Sequence, residues 1–166
     1  MYKSVTTESG LEFDFHLPCE KVDAESCHGL KAVDFIVEGD NCLYFIEVKN
    51  YEQSKAPKEN RERDYKMLTD KNAAFPLEVG MKIKDSLLKR YAQAKPFSKK
   101  IVFLLVIKFS FLKANERRKL YEHIRGYVPT GLNGYPAFNS ISFEMPRIDE
   151  IKNKYGFDVT MIERER

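Results

Sequence analysis

Lys31-Ala-Val-Asp-Phe-Ile-Val-Glu-Gly-Asp-Asn-Cys-Leu-Tyr-Phe-Ile-Glu-Val-Lys-Asn-Tyr51 is the stretch whose reading decides the fold. Two apolar runs flank Glu38, Gly39, Asp40 and Asn41, a loop of the length and composition that joins a β-hairpin. With Val37 set against Cys42, Asp34 falls opposite Phe45. The side-chain period of two then brings Glu47 and Lys49 to the face of Asp34. A loop one residue longer or shorter sends Asp34 to the other face, whereas Glu47 and Lys49 stay together in either case. The neighbouring residues Val33, Phe35, Ile36, Val37, Tyr44, Ile46 and Val48 are apolar, so both faces of the hairpin read as buried. Two acids and a lysine in such a setting are costly unless they pair with one another or hold a metal. The plainer reading is a salt bridge of Lys49 with Glu47 or Asp34 at the end of a sheet.

The pattern Val33-Asp34, a spacer ending in a strand, and Glu47-Val48-Lys49 resembles the signature of the PD-(D/E)XK nuclease superfamily, the restriction-endonuclease-like fold. The resemblance implies that Asp34, Glu47 and the Val48 carbonyl bind a divalent cation and that Lys49 orients or activates the attacking water. It covers about twenty residues and the order of elements around them. Val33 stands where the name-giving proline would be, and no clear amphipathic helix with a metal-binding glutamate precedes the hairpin. Glu8 and Glu20 are the candidates for a third acid.

These residue types suit phosphodiester hydrolysis. That reaction needs an activated water, charge neutralisation in the transition state and help for the leaving oxygen. Carboxylate oxygens such as those of Asp34 and Glu47 suit Mg²⁺ or Mn²⁺. Lys49, beside two carboxylates, is expected to stay protonated in the absence of metal and to act by charge and water positioning before acting as a base.

A chain of 166 residues, 43% hydrophobic and 32% charged, fits one domain over residues 1–166, nuclease-like as the resemblance implies. Its longest apolar stretch, Ile101 to Ile107, is too short to cross a bilayer, and the first residues lack the apolar core of a signal peptide. The expectation is a cytoplasmic protein with no membrane partner. Three cysteines, Cys19, Cys27 and Cys42, form no disulfide framework. Cys19, Cys27, His28 and His16 are zinc-ligand types, but with no Cys-x-x-Cys knuckle ordinary packing is the preferred reading. His123 reads as a boundary residue of a helix.

Net charge is only +3, yet residues 49–100 hold 14 Lys and Arg against 7 Asp and Glu. The rest of the chain is net acidic, an asymmetry expected of a phosphate-binding face. Candidate nucleic-acid contacts are Lys55, Arg61 and Arg63 in a mobile loop or frayed helix between Tyr51 and Lys71, and Lys82, Lys89 and Arg90 in a later helix. A solvated helix balanced by Glu59, Glu62 and Asp64 explains the first group equally well.

Apolar spacing over Phe75–Ala94, introduced by Pro76, predicts a helix with Lys82, Lys89 and Arg90 largely off its packed stripe. Ile101 to Ile107 predicts a fully buried strand, and strand, helix, strand makes a right-handed βαβ unit. Asn115 can cap a helix ending at Gly126, a loop follows from Tyr127 to Pro136, and Ile141–Phe143, Ile148–Lys154 and Phe157–Ile162 read as strand, helix and strand. Leu11 to Leu17 alternates as a half-buried strand. The fold class is therefore α/β, a mixed central β-sheet flanked by helices, and the resemblance implies that it is restriction-endonuclease-like.

Three functions remain open: a Mg²⁺- or Mn²⁺-dependent nuclease acting on nucleic acid, DNA first, with a possible homodimer; a nuclease-like binding module without turnover; and a protein unrelated to nucleic acid in which Asp34, Glu47 and Lys49 form a structural ion network.

Overall fold

The computed structural model describes residues 4–22, 29–52, 58–95, 98–131 and 140–162. Among these residues the elements in chain order are β1 (Ser4–Glu8), β2 (Leu11–Phe15), β3 (Cys19–Lys21), β4 (Phe35–Glu38), β5 (Cys42–Asn50), α1 (Lys58–Thr69), α2 (Phe75–Ala92), β6 (Lys100–Lys108), α3 (Ala114–Arg125), β7 (Ile141–Glu144), α4 (Ile148–Tyr155) and β8 (Asp158–Met161). The main sheet is mixed, in the order β3-β4-β5-β6-β7. Its first three strands run antiparallel, and β5, β6 and β7 run parallel. A smaller antiparallel sheet has the order β1-β2-β8.

Alternation along the strands builds two apolar layers on opposite faces of the main sheet. On one face Leu43, Phe45, Phe103, Leu105 and Ile107 pack with Leu68 of α1, Val79 and Ile83 of α2, and Leu120 and Ile124 of α3. On the other, Phe35, Val37, Ile46, Val48, Leu104 and Val106 meet Leu11, Phe13 and Phe15 of β2 and Ile151 and Tyr155 of α4. The seven residues Ile101 to Ile107 are all buried, as a strand covered on both sides requires. Each large side chain so buried stabilises the fold by about 1.5–3 kcal/mol.

Helix ends follow local chemistry. Pro76 opens α2 in its first turn. The expected cap at Asn115 is displaced: Lys113 holds the N-cap position and its N–H donates to Glu116, while Asn115 Oδ1 accepts the Glu116 N–H. Gly156 closes α4 at φ 77°, a left-handed cap suited to glycine. Gly80 lets α2 approach the end of α3, because a Cβ there would lie 2.5 Å from that of Tyr127. Tyr51–Lys71, expected as loop or frayed helix, contains α1. Among the described residues no helix is long and apolar enough to cross a membrane.

The hairpin forms in a register two residues from the expected one. Val37 pairs with Tyr44 and Ile36 with Phe45. Glu38, assigned to the loop by its polarity, stays in β4, and the Gly39 N–H donates to the Cys42 carbonyl at 2.9 Å, leaving Asp40 and Asn41 to make the turn. A shift of two preserves parity, so the expected facing of the side chains survives.

Candidate active site

Asp34 lies just before β4, where its N–H donates to the Ile46 carbonyl at 3.0 Å. The ladder itself begins one residue later, with Phe35 paired to Ile46. Asp34 Oδ2 accepts the Val48 N–H at 2.6 Å, which fixes the carboxyl against β5. Glu47 is fully buried and Asp34 nearly so. Lys49 Nζ lies 2.6 Å from Glu47 Oε1 and retains partial solvent exposure. The three ionisable residues expected on one face are thus together.

A fourth joins them. Lys82 on α2 sends its Nζ to within 2.7 and 2.8 Å of the two Glu47 oxygens and 3.9 Å from Asp34 Oδ1. Ser86, one turn later and buried, ties this helix to the strand. Its hydroxyl accepts the Val33 N–H at 2.9 Å and donates to the Lys82 carbonyl at 2.7 Å. One side chain therefore couples the backbone before Asp34 to the backbone of Lys82.

Burial, and then the Glu47 charge on β5, push the Asp34 carboxyl up to about 7, with Lys82, the Val48 N–H and Lys49 pulling it back. Burial opposes the charge on Lys49, but Glu47 outweighs it and holds the ammonium above the usual lysine range. Tyr51 lies beyond Lys49 in the chain. Burial raises its phenol strongly, and the negative fields of Asp64, Glu47 and Glu78 add to this.

No family model, curated protein or solved structure matches the chain. The geometry of its own residues carries the functional reading.

Of the candidate nucleic-acid contacts, Arg61 is exposed with its guanidinium 5.8 Å from the Phe111 ring centroid, and Arg63 is exposed beside Asp64. Lys89 donates to the Val22 carbonyl at 3.2 Å, and Arg90 is buried. Of Lys82, Lys89 and Arg90, expected largely off the packed stripe, Arg90 lies on it with Val79, Ile83 and Ser86, and the two lysines are partly exposed beside it. Lys55 lies outside the described residues, as do Cys27 and His28. Glu8 pairs with Lys21 at 2.9 Å and Glu20 with Lys95 at 2.7 Å. Among the described residues no three His, Cys, Asp or Glu side chains converge as a metal cluster.

Sequence reasoning missed the Lys82 pairing and the Ser86 bridge. The only signal for either was their i, i+4 spacing on a helix that had to cover the sheet face bearing Glu47.

Proposed function

We propose that this chain is a divalent-metal-dependent nuclease of restriction-endonuclease-like architecture, hydrolysing phosphodiester bonds in nucleic acid, DNA first. The observation that carries the reading is the cation already standing at the acid pair: Lys82 Nζ reaches both Glu47 oxygens and approaches Asp34 Oδ1. Two hard carboxylates around a positive charge are a donor set that fits Mg²⁺ or Mn²⁺. Asp34, Glu47 and the Val48 carbonyl are the groups that would hold it. When bound, such an ion supplies charge neutralisation at phosphate and a more acidic water.

The chain's own residues do the remainder. The Val48 N–H orients the Asp34 carboxyl and leaves Oδ1 available. Lys49, charged and partly exposed at the mouth of the site, offers a fixed positive group to a phosphate oxygen and a donor to position water. Lys82 neutralises the acids at rest and competes with a dication for the same oxygens. Freed from them, its ammonium is a second phosphate-facing charge.

Incubation of the purified protein with single- and double-stranded DNA and Mg²⁺ or Mn²⁺ tests the reading. Metal-dependent cleavage is expected, reduced at least a hundredfold in Glu47→Ala and in Lys49→Ala while both variants keep the wild-type circular dichroism. Cleavage that survives both substitutions refutes it. A second reading, a structural ion network, is favoured by the pairing of both Glu47 oxygens with lysine. It predicts that calorimetry detects no Mn²⁺ binding at millimolar metal.

A further inference from the structure

Parallel pairing sets Lys49 beside Ile107 and Asn50 beside Lys108. Side chains at paired positions of parallel strands share a face, about 4.8 Å apart. Ile107 and Lys108 form the near wall of a cleft of about 940 Å³ beyond the carboxyl ends of β6 and β7. The cleft therefore opens one strand away from the Glu47-Val48-Lys49 triplet.

Its walls combine two chemistries. Arg117 and Arg118 project from α3, and neither has a carboxylate ion pair among the described residues. Arg117 is half-buried, and its two hydrogen bonds go to the Met145 and Pro146 carbonyls at 2.9 and 2.7 Å. Burial holds this guanidinium below the usual arginine range. The charges of Glu150 and Asp149 offset part of that burial from a distance, and a half-buried cation hydrogen-bonded to neutral carbonyls is further stabilised by an incoming anion. The acids of the cleft, Asp149 and Asp158, are already paired with Arg147 and Lys152. At the rim, between the cleft residues Ser110 and Leu112, Phe111 is 56% exposed. It meets Phe109 edge-on at 5.8 Å and carries the Arg61 guanidinium at 5.8 Å.

An exposed ring flanked by a guanidinium, leading into a cleft with free cationic capacity, is the combination that takes an unpaired nucleotide: base on the aromatic, phosphate on the arginines. Stacking on Phe111 requires a base face that duplex DNA keeps covered. We propose that this cleft binds the single-stranded part of a nucleic acid, with Phe111 and Arg61 as the stacking platform and Arg117 and Arg118 as phosphate contacts, so that the substrate of the neighbouring site has an unpaired segment. The inference deepens the nuclease reading and rests on it for the identity of that site.

Fluorescence anisotropy in EDTA, with labelled single-stranded DNA and RNA 12-mers and a blunt DNA duplex of the same sequence, separates binding from turnover. The full-length protein is expected to bind at least one single strand tenfold or more tighter than the duplex. Phe111→Ala weakens single-strand binding about tenfold, as expected for one lost stack. Arg118→Ser weakens it several-fold and lowers the slope of log K against log salt by about one. Both side chains are exposed, so neither change removes core packing. Equal affinity for strand and duplex, or wild-type binding by both variants, overturns the proposal. Single-strand binding without cleavage in Mn²⁺ sinks the nuclease reading alone. Cleavage of blunt duplex at a rate unaffected by Phe111→Ala sinks the platform alone.

Discussion

Replacing Asp34 by Asn is expected to stabilise the metal-free protein at alkaline pH and to do so much less at acid pH. The folded-state carboxyl titrates at about 7, against an ordinary value of 3.8. Because burial and Glu47 raise it, the unfolded chain releases the proton first. Below pH 4 both states are protonated and Asp34 costs nothing. Between roughly pH 4 and pH 7 the cost of ionising it grows, and above pH 7 it is constant. Three units at 1.36 kcal/mol each set that cost on the order of 4 kcal/mol, of which roughly a third is already present at pH 5.

Asparagine keeps a carbonyl oxygen for the Val48 N–H and removes the titration. Urea unfolding of wild type and Asp34→Asn in EDTA at pH 5 and pH 8 gives four stabilities. Packing changes that do not depend on pH cancel in the double difference. The advantage of the variant should grow by roughly 2–3 kcal/mol between the two pH values, or about 5–10 °C in Tm for a chain of this size. A double difference near zero, or of opposite sign, refutes the view that Asp34 is held in a strained, high-pKa state by burial and by Glu47.

The remaining predictions concern the helix that completes the site. Lys82→Met removes the ammonium that stands at the acid pair, so isothermal titration with Mn²⁺ should show tighter binding by about tenfold or more, and unchanged or weaker binding contradicts the competition argument. Ser86→Ala leaves the buried Val33 N–H without its acceptor, which costs about 1–3 kcal/mol; chemical denaturation reads this, and a loss below 0.5 kcal/mol means that another group takes over the bond.

The hairpin was legible because its information is local. Two apolar runs and a polar break define an antiparallel pair, and parity alone fixes which residues share a face. The register is less legible because polarity alone does not mark where the strand ends. Glu38 is polar yet remains in β4, where its exposed side chain pairs with Lys99 at 2.8 Å. The buried strand β6 and helix α2 were legible from composition and period. The packed face of α2 was not, because the helix carries apolar residues on both sides. Val79 and Ile83 are buried, whereas Leu77, Met81, Leu88 and Tyr91 are exposed. With two candidate stripes, periodicity could not tell which one met the sheet, and the placement of Lys82, Lys89 and Arg90 depended on that choice.

That choice of stripe also accounts for the chemistry of the site. With Val79, Ile83 and Ser86 packed against the sheet, Lys82 falls at the edge of the contact, close enough to reach Glu47 and still partly open to solvent. Two ammonium groups then face the two acids and offset part of their burial, although the Asp34 carboxyl is still pushed up to about 7. A buried acid pair without such compensation would cost several kcal/mol, whereas a fully enclosed neutral network would leave no route for an incoming ion. Lys49 and Lys82 both keep partial exposure while Glu47 has none. The cations therefore stand toward solvent and the acids behind them. Long lysine stems give a buried acid the same pattern in a structural network. On the nuclease proposal, the two lysines are the groups that yield to the ion and then face the phosphate.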